Sequence, residues 1–309
     1  MPAGEQPPSA DGRRIGFVGL GGMGGPMASN LLAAGFPVAG YNRTASKAEA
    51  LAAAGLEPRA TAGAAVEAIT FLSLYDDDAL MAVLEGPDGV AAACSAQTVV
   101  VDTSTVGPAT SARAAELVGA RGAAFLRCPV SGGVALARTA KISLLCSGPR
   151  AAYEACAEPF AAIGKSSRYL GEGEESRYAK LALNGMIATS MQMIAEALSV
   201  AEAAGLDRAE MLELMADSAV GSPFVAYKAS PLLAGDYSPT FPVEGLRDDL
   251  RLLFDVCDDL GVPVPAVGLV DGLLRACEAN GWAELDFAAL YLLQRRLAGR
   301  DDGPSQRAT

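Results

Sequence analysis

Short apolar runs set the rhythm of the first half of the chain. Ile15–Val18 is closed by glycine and too short for a helix, and it predicts a strand buried on both faces. A helical stretch over Met23–Ala34 ends at Gly35, and Pro37–Tyr41 is the next strand. The alternation continues with helices over Ala45–Ala54 and Pro108–Ala120 and strands over Ala68–Leu74, Thr98–Val101 and Ala124–Cys128. Two more strands, Ile142–Cys146 and Ser167–Leu170, flank a helix over Arg150–Ile163. Strands alternating with helices predict an α/β fold with a doubly wound, mostly parallel sheet. Ligands of such sheets sit beyond the carboxyl ends of the strands. The turns at Gly19–Gly24, Leu74–Asp76, Asp102–Thr105 and Pro129–Gly133 are therefore expected to line one crevice.

The period changes near Glu172. Between Glu174 and Ala204 there is no proline and one glycine, Gly185, while Leu181, Met186, Met193, Ala197 and Val200 recur at roughly helical spacing. One helix of about 45 Å, at ~1.5 Å per residue, is predicted to leave the first domain and form the spine of a second. Helical patterns follow over Arg208–Ser218, after Pro223, and over Leu246–Leu260, Pro265–Ala279 and Phe287–Leu297, with no strand period. The expected organisation is a sheet domain over 12–173, an all-α domain over 174–298, and flexible tails at 1–11 and 299–309. A helical half with several apolar faces is expected to bury one of them against a second subunit.

The first turn carries the most specific chemistry. Gly19-Leu20-Gly21-Gly22-Met23-Gly24 has G-x-G-x-x-G spacing between a strand and a helix, the setting that dinucleotide binding requires. Gly19 permits a tight turn, Gly21 lets the backbone approach a pyrophosphate, and Gly24 lets the helix pack close to the strand. The helix N-terminus supplies N–H groups and a positive dipole. The second strand ends at Asn42-Arg43-Thr44, where an NAD site carries Asp or Glu for the ribose 2′-hydroxyl. Arg43 instead offers a planar cation for a 2′-phosphate, with Asn42 and Thr44 as hydrogen-bond donors, so NADP(H) is the expected cofactor. Leu74, Tyr75 and Asp76 are placed on the same side. The run Asp76–Asp78 reads as a helix start rather than a metal site.

Composition narrows the classes. A chain of 309 residues, 51% hydrophobic, is long enough for two domains with large cores. A net charge of −12 opposes nucleic acid and anionic membrane surfaces as partners. No apolar run approaches the ~20 residues of a membrane span. Met1–Asp11 is polar and Pro-rich, without an apolar signal segment, so a cytosolic protein is expected. Six scattered cysteines without C-x-x-C spacing read as buried reduced thiols. The absence of histidine excludes a Ser-His-Asp triad, a His base and His-containing zinc sites, and no metal is expected. Acid–base work must then fall to Lys, Asp, Glu, Tyr or Cys.

Five pieces in order carry a resemblance: Gly19–Leu31, Asp102–Thr105, Pro129–Gly133, Lys180 with Asn184, and Asp249-Leu250 after Phe241. From about Arg14 to Leu297 the chain resembles the β-hydroxyacid dehydrogenase family, which includes 3-hydroxyisobutyrate dehydrogenases and tartronate semialdehyde reductases. The resemblance implies a Rossmann domain, a helical C-terminal domain that forms a homodimer, and a catalytic lysine. Lys180 and Asn184 are four apart on one helix and face the same way. A lysine partly buried at the crevice would be expected to exchange a proton at neutral pH, and Asn184 would hold the same substrate oxygen or a neighbour. Backbone N–H groups of Ser131, Gly132 and Gly133, with the Ser131 hydroxyl, would grip a substrate carboxylate, and Thr105 would touch cofactor or substrate.

The chain also departs from that family. Arg127-Cys128 replaces Asp-Ala, Ala140-Lys141-Ile142 replaces Gly-Thr-Leu, Leu183 replaces an asparagine, and Glu174 and Ser176 replace glycines. The family's Lys-Asp-Leu is Asp248-Asp249-Leu250. Asp248 is preferred over Arg247 for the substrate-facing place, since a one-residue shift turns a helix by about 100°. An acid there favours a substrate that carries or forms a cationic nitrogen. The competing reading has Asp248 facing solvent or pairing with Arg247 or Arg251. The leading function is an NADP(H)-dependent reductase or dehydrogenase of a carbonyl/alcohol pair. An imine reductase on the same scaffold is the second, and an inactive NADP(H)-binding paralogue serving as an interaction subunit is the third.

Overall fold

The computed structural model describes residues 13–300, so the expected tail at 1–11 and residues 301–309 lie outside it. The chain divides into two compact units inside one long helix, the first ending at Lys180 and the second starting at Leu181.

The first unit runs β1 (Ile15–Val18), α1 (Gly24–Ala33), β2 (Val38–Tyr41), α2 (Ala45–Ala52), β3 (Glu57–Pro58), β4 (Ile69–Leu72), α3 (Asp77–Leu84) and α4 (Val90–Ala93). It continues β5 (Val99–Asp102), α5 (Pro108–Gly119), β6 (Ala124–Arg127), β7 (Val130–Ser131), α6 (Val134–Arg138), β8 (Ile142–Ser147), α7 (Arg150–Ala155), α8 (Ala157–Ile163) and β9 (Gly164–Gly171). The sheet order is β3-β2-β1-β4-β5-β6-β8-β7, with β9 beside β8. β1 pairs in parallel with β2 on one side and β4 on the other. The strand order therefore reverses at β1, and the glycine turn opens at that switch point.

Alternate residues of each strand feed different cores. Phe17, Phe71, Val101 and Leu126 belong to one cluster, and their neighbours Val18, Leu72, Val100 and Phe125 to another. Helices cover both faces, which is why these strands read as continuous apolar runs rather than alternating ones.

The far edge departs from the expected parallel sheet. β8 runs antiparallel to both β6 and β7, and only β9 is parallel to it. The connection from 132 to 141 is shorter than the roughly dozen or more residues a parallel crossover needs, so the chain returns antiparallel. Val130–Ser131, expected as loop, is a strand for this reason. The helix expected over Arg150–Ile163 breaks at Cys156 (φ −93°, ψ 6°), and Pro159 sits in the first turn of α8, where its missing N–H costs nothing. β3 and α6 went unmarked in the sequence because they are too short to show a period.

The second unit is helical: α9 (Glu175–Ala203, which begins in the first unit), α10 (Arg208–Asp217), α11 (Pro223–Ala234), α12 (Val243–Leu260), α13 (Pro265–Ala279) and α14 (Ala289–Leu297). Leu181, Ala188, Met191, Ala195 and Leu198 of α9 enter its core. The apolar positions of α9 fall on more than one face. Leu181 is buried, but Met186, Met193 and Val200 are 63%, 63% and 70% exposed. They form a second stripe with seven-residue spacing, and periodicity alone could not say which apolar stripe faces inward. Inside this unit Lys228 is buried and donates to Asp286 at 2.6 Å, its Nζ 4.1 Å from the Phe287 ring centre. Burial lowers the Lys228 pKa, and Asp286 opposes that shift. Among the described residues no helix is long and apolar enough to cross a membrane.

Ala140 occupies the left-handed region at φ 53°, where the resembled family carries glycine. A side chain there costs about 1–2 kcal/mol, partly offset by a stiffer unfolded chain. Ala140→Gly is therefore expected to raise stability by about 0.5–1 kcal/mol, read as a higher urea midpoint at unchanged m-value.

Candidate functional site

The first unit assembles its candidate site from loops at the carboxyl ends of β1, β2, β4, β5 and β6. The loop after β1 is fixed by two backbone approaches. A Cβ at Gly24 would lie 1.9 Å from the Gly19 carbonyl oxygen, and one at Gly19 (φ +93°) would lie 2.2 Å from the Ser73 carbonyl oxygen. Gly21 differs, because a Cβ there would meet no atom within 4 Å. Nothing in the protein requires glycine at 21, while a phosphate lying on the backbone would. No side chain caps α1, and its first turn holds no acidic residue, so its N-terminus suits an anion. These residues fit the pyrophosphate of a dinucleotide.

Neighbouring loops are tied to this one. The Leu20 N–H donates to Asn42 Oδ1 at 2.9 Å, and Asn42 Nδ2 donates to the Thr44 carbonyl at 3.0 Å. The Asn42 side chain thus joins the glycine loop to the end of β2, and its Nδ2 carries a second N–H besides the one given to Thr44. Arg43 and Thr44 are exposed beside it, and the Thr44 hydroxyl does not cap α2. The Leu74 N–H donates to Ser104 Oγ at 2.9 Å, which joins the loops after β4 and β5. Ser104 in turn donates through Oγ (2.6 Å) and N–H (3.1 Å) to Asp102 Oδ1.

The acidic run after β4 is structural in its details. Asp76 accepts from the Ala79 N–H at 2.8 Å and so caps α3. Asp77 accepts from the Gly107 N–H at 3.0 Å and the Thr110 hydroxyl at 2.7 Å. No metal-binding acidic or thiol cluster occurs among the described residues. Tyr75 is 67% exposed. Thr105 is half-buried just beyond β5, and Ser131 ends β7 with Gly132 (φ +129°) and Gly133 following.

Lys180 is half-buried on α9 at the end of the first unit. Asn184 lies one turn further, in the second unit, where it is 1% exposed and its Nδ2 donates to Asp249 Oδ2. Asp248 pairs with Arg251 across one turn, both half-exposed. Arg247 is buried on the other side of α12 and pairs with Asp271 (3.0 Å) and Glu278. Asp248 therefore takes the exposed, Arg251-paired place that the competing reading allowed. Sequence reasoning passed over Arg177, which is 1% exposed and bonded to Asp102. Its only mark was a cation in the first turn of a largely apolar helix. All six cysteines are buried thiols, and burial pushes Cys156 up to about 12.

A switch-point crevice, a glycine turn with open space at Gly21, and a helical unit entered through a lysine-bearing helix define a dinucleotide-binding protein of the Rossmann type with a helical second unit. The comparisons agree. The family model "NAD binding domain of 6-phosphogluconate dehydrogenase" matches residues 14–171, and "NAD-binding of NADP-dependent 3-hydroxyisobutyrate dehydrogenase" matches 174–293. The chain belongs to the β-hydroxyacid dehydrogenase family of NAD(P)-binding proteins. It is 30% identical to glyoxylate/succinic semialdehyde reductase 2 of Arabidopsis thaliana over 89% of this chain and 78% of that one. It is 32% identical to the cytokine-like nuclear factor N-PAC of Xenopus tropicalis over 90% of this chain but only 53% of that protein, so it spans about half of that relative's length. A 3-hydroxyisobutyrate dehydrogenase of Mycobacterium tuberculosis, solved with L-serine, superposes with a TM-score of 0.81 at 26% identity, covering 90% of this chain and 98% of that one.

Gly21→Ala and Gly24→Ala separate the two uses of glycine. Gly21→Ala is expected to leave the melting temperature of the cofactor-free protein within about 2 °C and to remove most of the stabilisation that added NADPH gives. Gly24→Ala is expected to cost roughly 2 kcal/mol or more, because the displaced atom is backbone. Thermal melts of both variants with and without NADPH check this.

Proposed function

We propose that the protein is an NADP(H)-dependent oxidoreductase that interconverts a small carbonyl compound and its alcohol, with Lys180 as proton donor and acceptor. The observation that carries this reading is Lys180 on α9 of the first unit, with Asn184 one turn on. A bound NADP(H) would supply or accept the hydride at the substrate carbon. In reduction, the carbonyl oxygen gains charge as the carbon takes the hydride. The Lys180 ammonium donates one proton to that oxygen, and a proton from solvent restores the ammonium, so one carbonyl, one hydride and one proton give one alcohol. Asn184, oriented by Asp249, adds a donor for the same oxygen or a neighbour. Ser131, Gly132 and Gly133 offer the hydroxyl and N–H groups for a carboxylate. Arg43 and Thr44 favour NADP(H) through the 2′-phosphate. Arg251 answers the Asp248 charge within α12, which removes the reason to favour a cationic substrate over an acidic one. A cytosolic location belongs to this proposal.

The test is NADPH consumption against glyoxylate, succinic semialdehyde and other small oxo-acids, beside a panel of cyclic imines. Oxo-acid turnover is expected, and Lys180→Ala is expected to lower kcat by about 10²–10⁴-fold. Turnover of imines alone would move the protein to the imine reductases. NADPH binding with no turnover on either panel would favour the non-catalytic paralogue. In the same assay Arg43→Ala is expected to lower the preference for NADPH over NADH by about tenfold or more, and an unchanged ratio would sink the 2′-phosphate role.

The partner proposed for the second unit is another copy of this chain, seated on the exposed α9 stripe. Met186, Met193 and Val200 repeat every seven residues, the spacing of a helix-pairing seam. Met193→Glu is expected to convert a dimer to a monomer in sedimentation experiments. A wild type that sediments as a monomer would refute the pairing.

A further inference from the structure

The first turn of α9 is fastened to the sheet at three successive points, all within the first unit. Glu174, just before the helix, accepts from the Arg127 guanidinium at 2.5 Å and 2.7 Å, and Arg127 is the last residue of β6. Ser176 bonds Ser147 of β8 at 2.8 Å and donates to the Arg127 carbonyl at 3.3 Å. Arg177 spreads its guanidinium over three acceptors: Nη2 to Asp102 Oδ2 at 2.5 Å, Nη1 to the Ser104 carbonyl at 2.6 Å, and Nε to Ser111 Oγ at 3.1 Å. Arg177 and Asp102 are 1% and 0% exposed, and Arg127 and Glu174 are 10% and 16% exposed.

The fastening coincides with the departures from the family pattern. Glu174 and Ser176 stand where the resembled family carries glycines, and Arg127 where it carries Asp, and here all three take part in the cross-links. The arginine and glutamate that replaced the usual residues are each other's partners. On a helix, Lys180 lies three residues beyond Arg177, about 4.5 Å along the axis and on nearly the same face.

We propose that Arg177 is a positioning residue, which holds Lys180 at a fixed height and rotation above the loops after β4 and β5. The path is continuous: Arg177 grips Asp102 and the Ser104 carbonyl, Asp102 grips Ser104, and Ser104 Oγ receives the Leu74 N–H. The planar guanidinium suits this task, because its donors diverge in fixed directions and a lysine's do not. Arg177 is 1% exposed with its donors on protein acceptors, so its effect passes through the placement of α9. This inference rests on the proposed role of Lys180.

The experiment reads Lys180 without needing a substrate. The full chain is pulse-labelled with acetic anhydride at about pH 8, and acetylation of Lys180 is compared with that of exposed Lys47 by peptide mass spectrometry. In Arg177→Lys, which keeps the cation and loses the fork, the Lys180 rate relative to Lys47 is expected to change at least about threefold. Where the wild type reduces an oxo-acid, kcat is expected to fall about 10–100-fold, with KM for NADPH within about threefold. Unchanged Lys180 labelling in folded Arg177→Lys overturns the proposal, as does a kcat loss matched by an equal rise in KM. If circular dichroism shows that this variant does not fold, Ser111→Ala removes one of the three acceptors and leaves the ion pair. A smaller change in the same readout then supports the role, and an unchanged rate refutes it. Failure of every oxo-acid with wild type would sink the carbonyl/alcohol reading and leave the labelling result legible.

Discussion

The 1.9 Å that would separate a Cβ on Gly24 from the Gly19 carbonyl oxygen is the tightest constraint in the first unit. It brings the start of α1 against the end of β1 and leaves a short turn between them. The turn opens where the strand order reverses, so its free N–H groups face the crevice side of the sheet. Two side chains then tie the neighbouring strand ends, one to the turn and one to each other. Asn42 binds Leu20, and Ser104 binds Leu74. The cofactor side is therefore a single hydrogen-bonded rim, and a change at Gly24 would be felt along all of it.

Buried charge does most of the remaining specification. Asp102–Arg177, Arg127–Glu174, Lys228–Asp286 and Arg247–Asp271 are all largely withdrawn from solvent. Such pairs add little net stability over apolar residues of the same volume, but truncating one partner costs about 3–5 kcal/mol by stranding the other. They hold one arrangement of the chain against its alternatives. Two of the four act on the first turn of α9, the segment that sets where Lys180 stands. Glu174 and Arg127 each depart from the resembled family's pattern, and in this chain they pair with each other.

Helix α9 shows why pattern and packing are separate questions. It carries one apolar stripe that enters the core of the second unit and a second that remains exposed. Both repeat at helical spacing, so the sequence announces a helix apolar on more than one face and stops there. Asp248 and Arg247 pose a similar problem on α12. They are adjacent in sequence and about 100° apart around the helix, and burial decides that Arg247 turns inward while Asp248 turns out to Arg251.

The sequence by itself determined the elements and their class. Short apolar runs, the G-x-G-x-x-G turn and the unbroken stretch after Glu174 are local signals, set by backbone sterics and side-chain period. They sufficed for a doubly wound sheet, a helical second half, a dinucleotide site and a lysine four residues before an asparagine. What only the tertiary structure decided depends on partners distant in sequence. The antiparallel edge at β8, the tie from Asn42 to the glycine loop, the exposure of Met193 and the seating of Arg177 on Asp102 all belong to that class. The reason is physical. A side chain's period says that it has an inner face, whereas the acceptor or core that meets it is chosen by the packing of the whole unit.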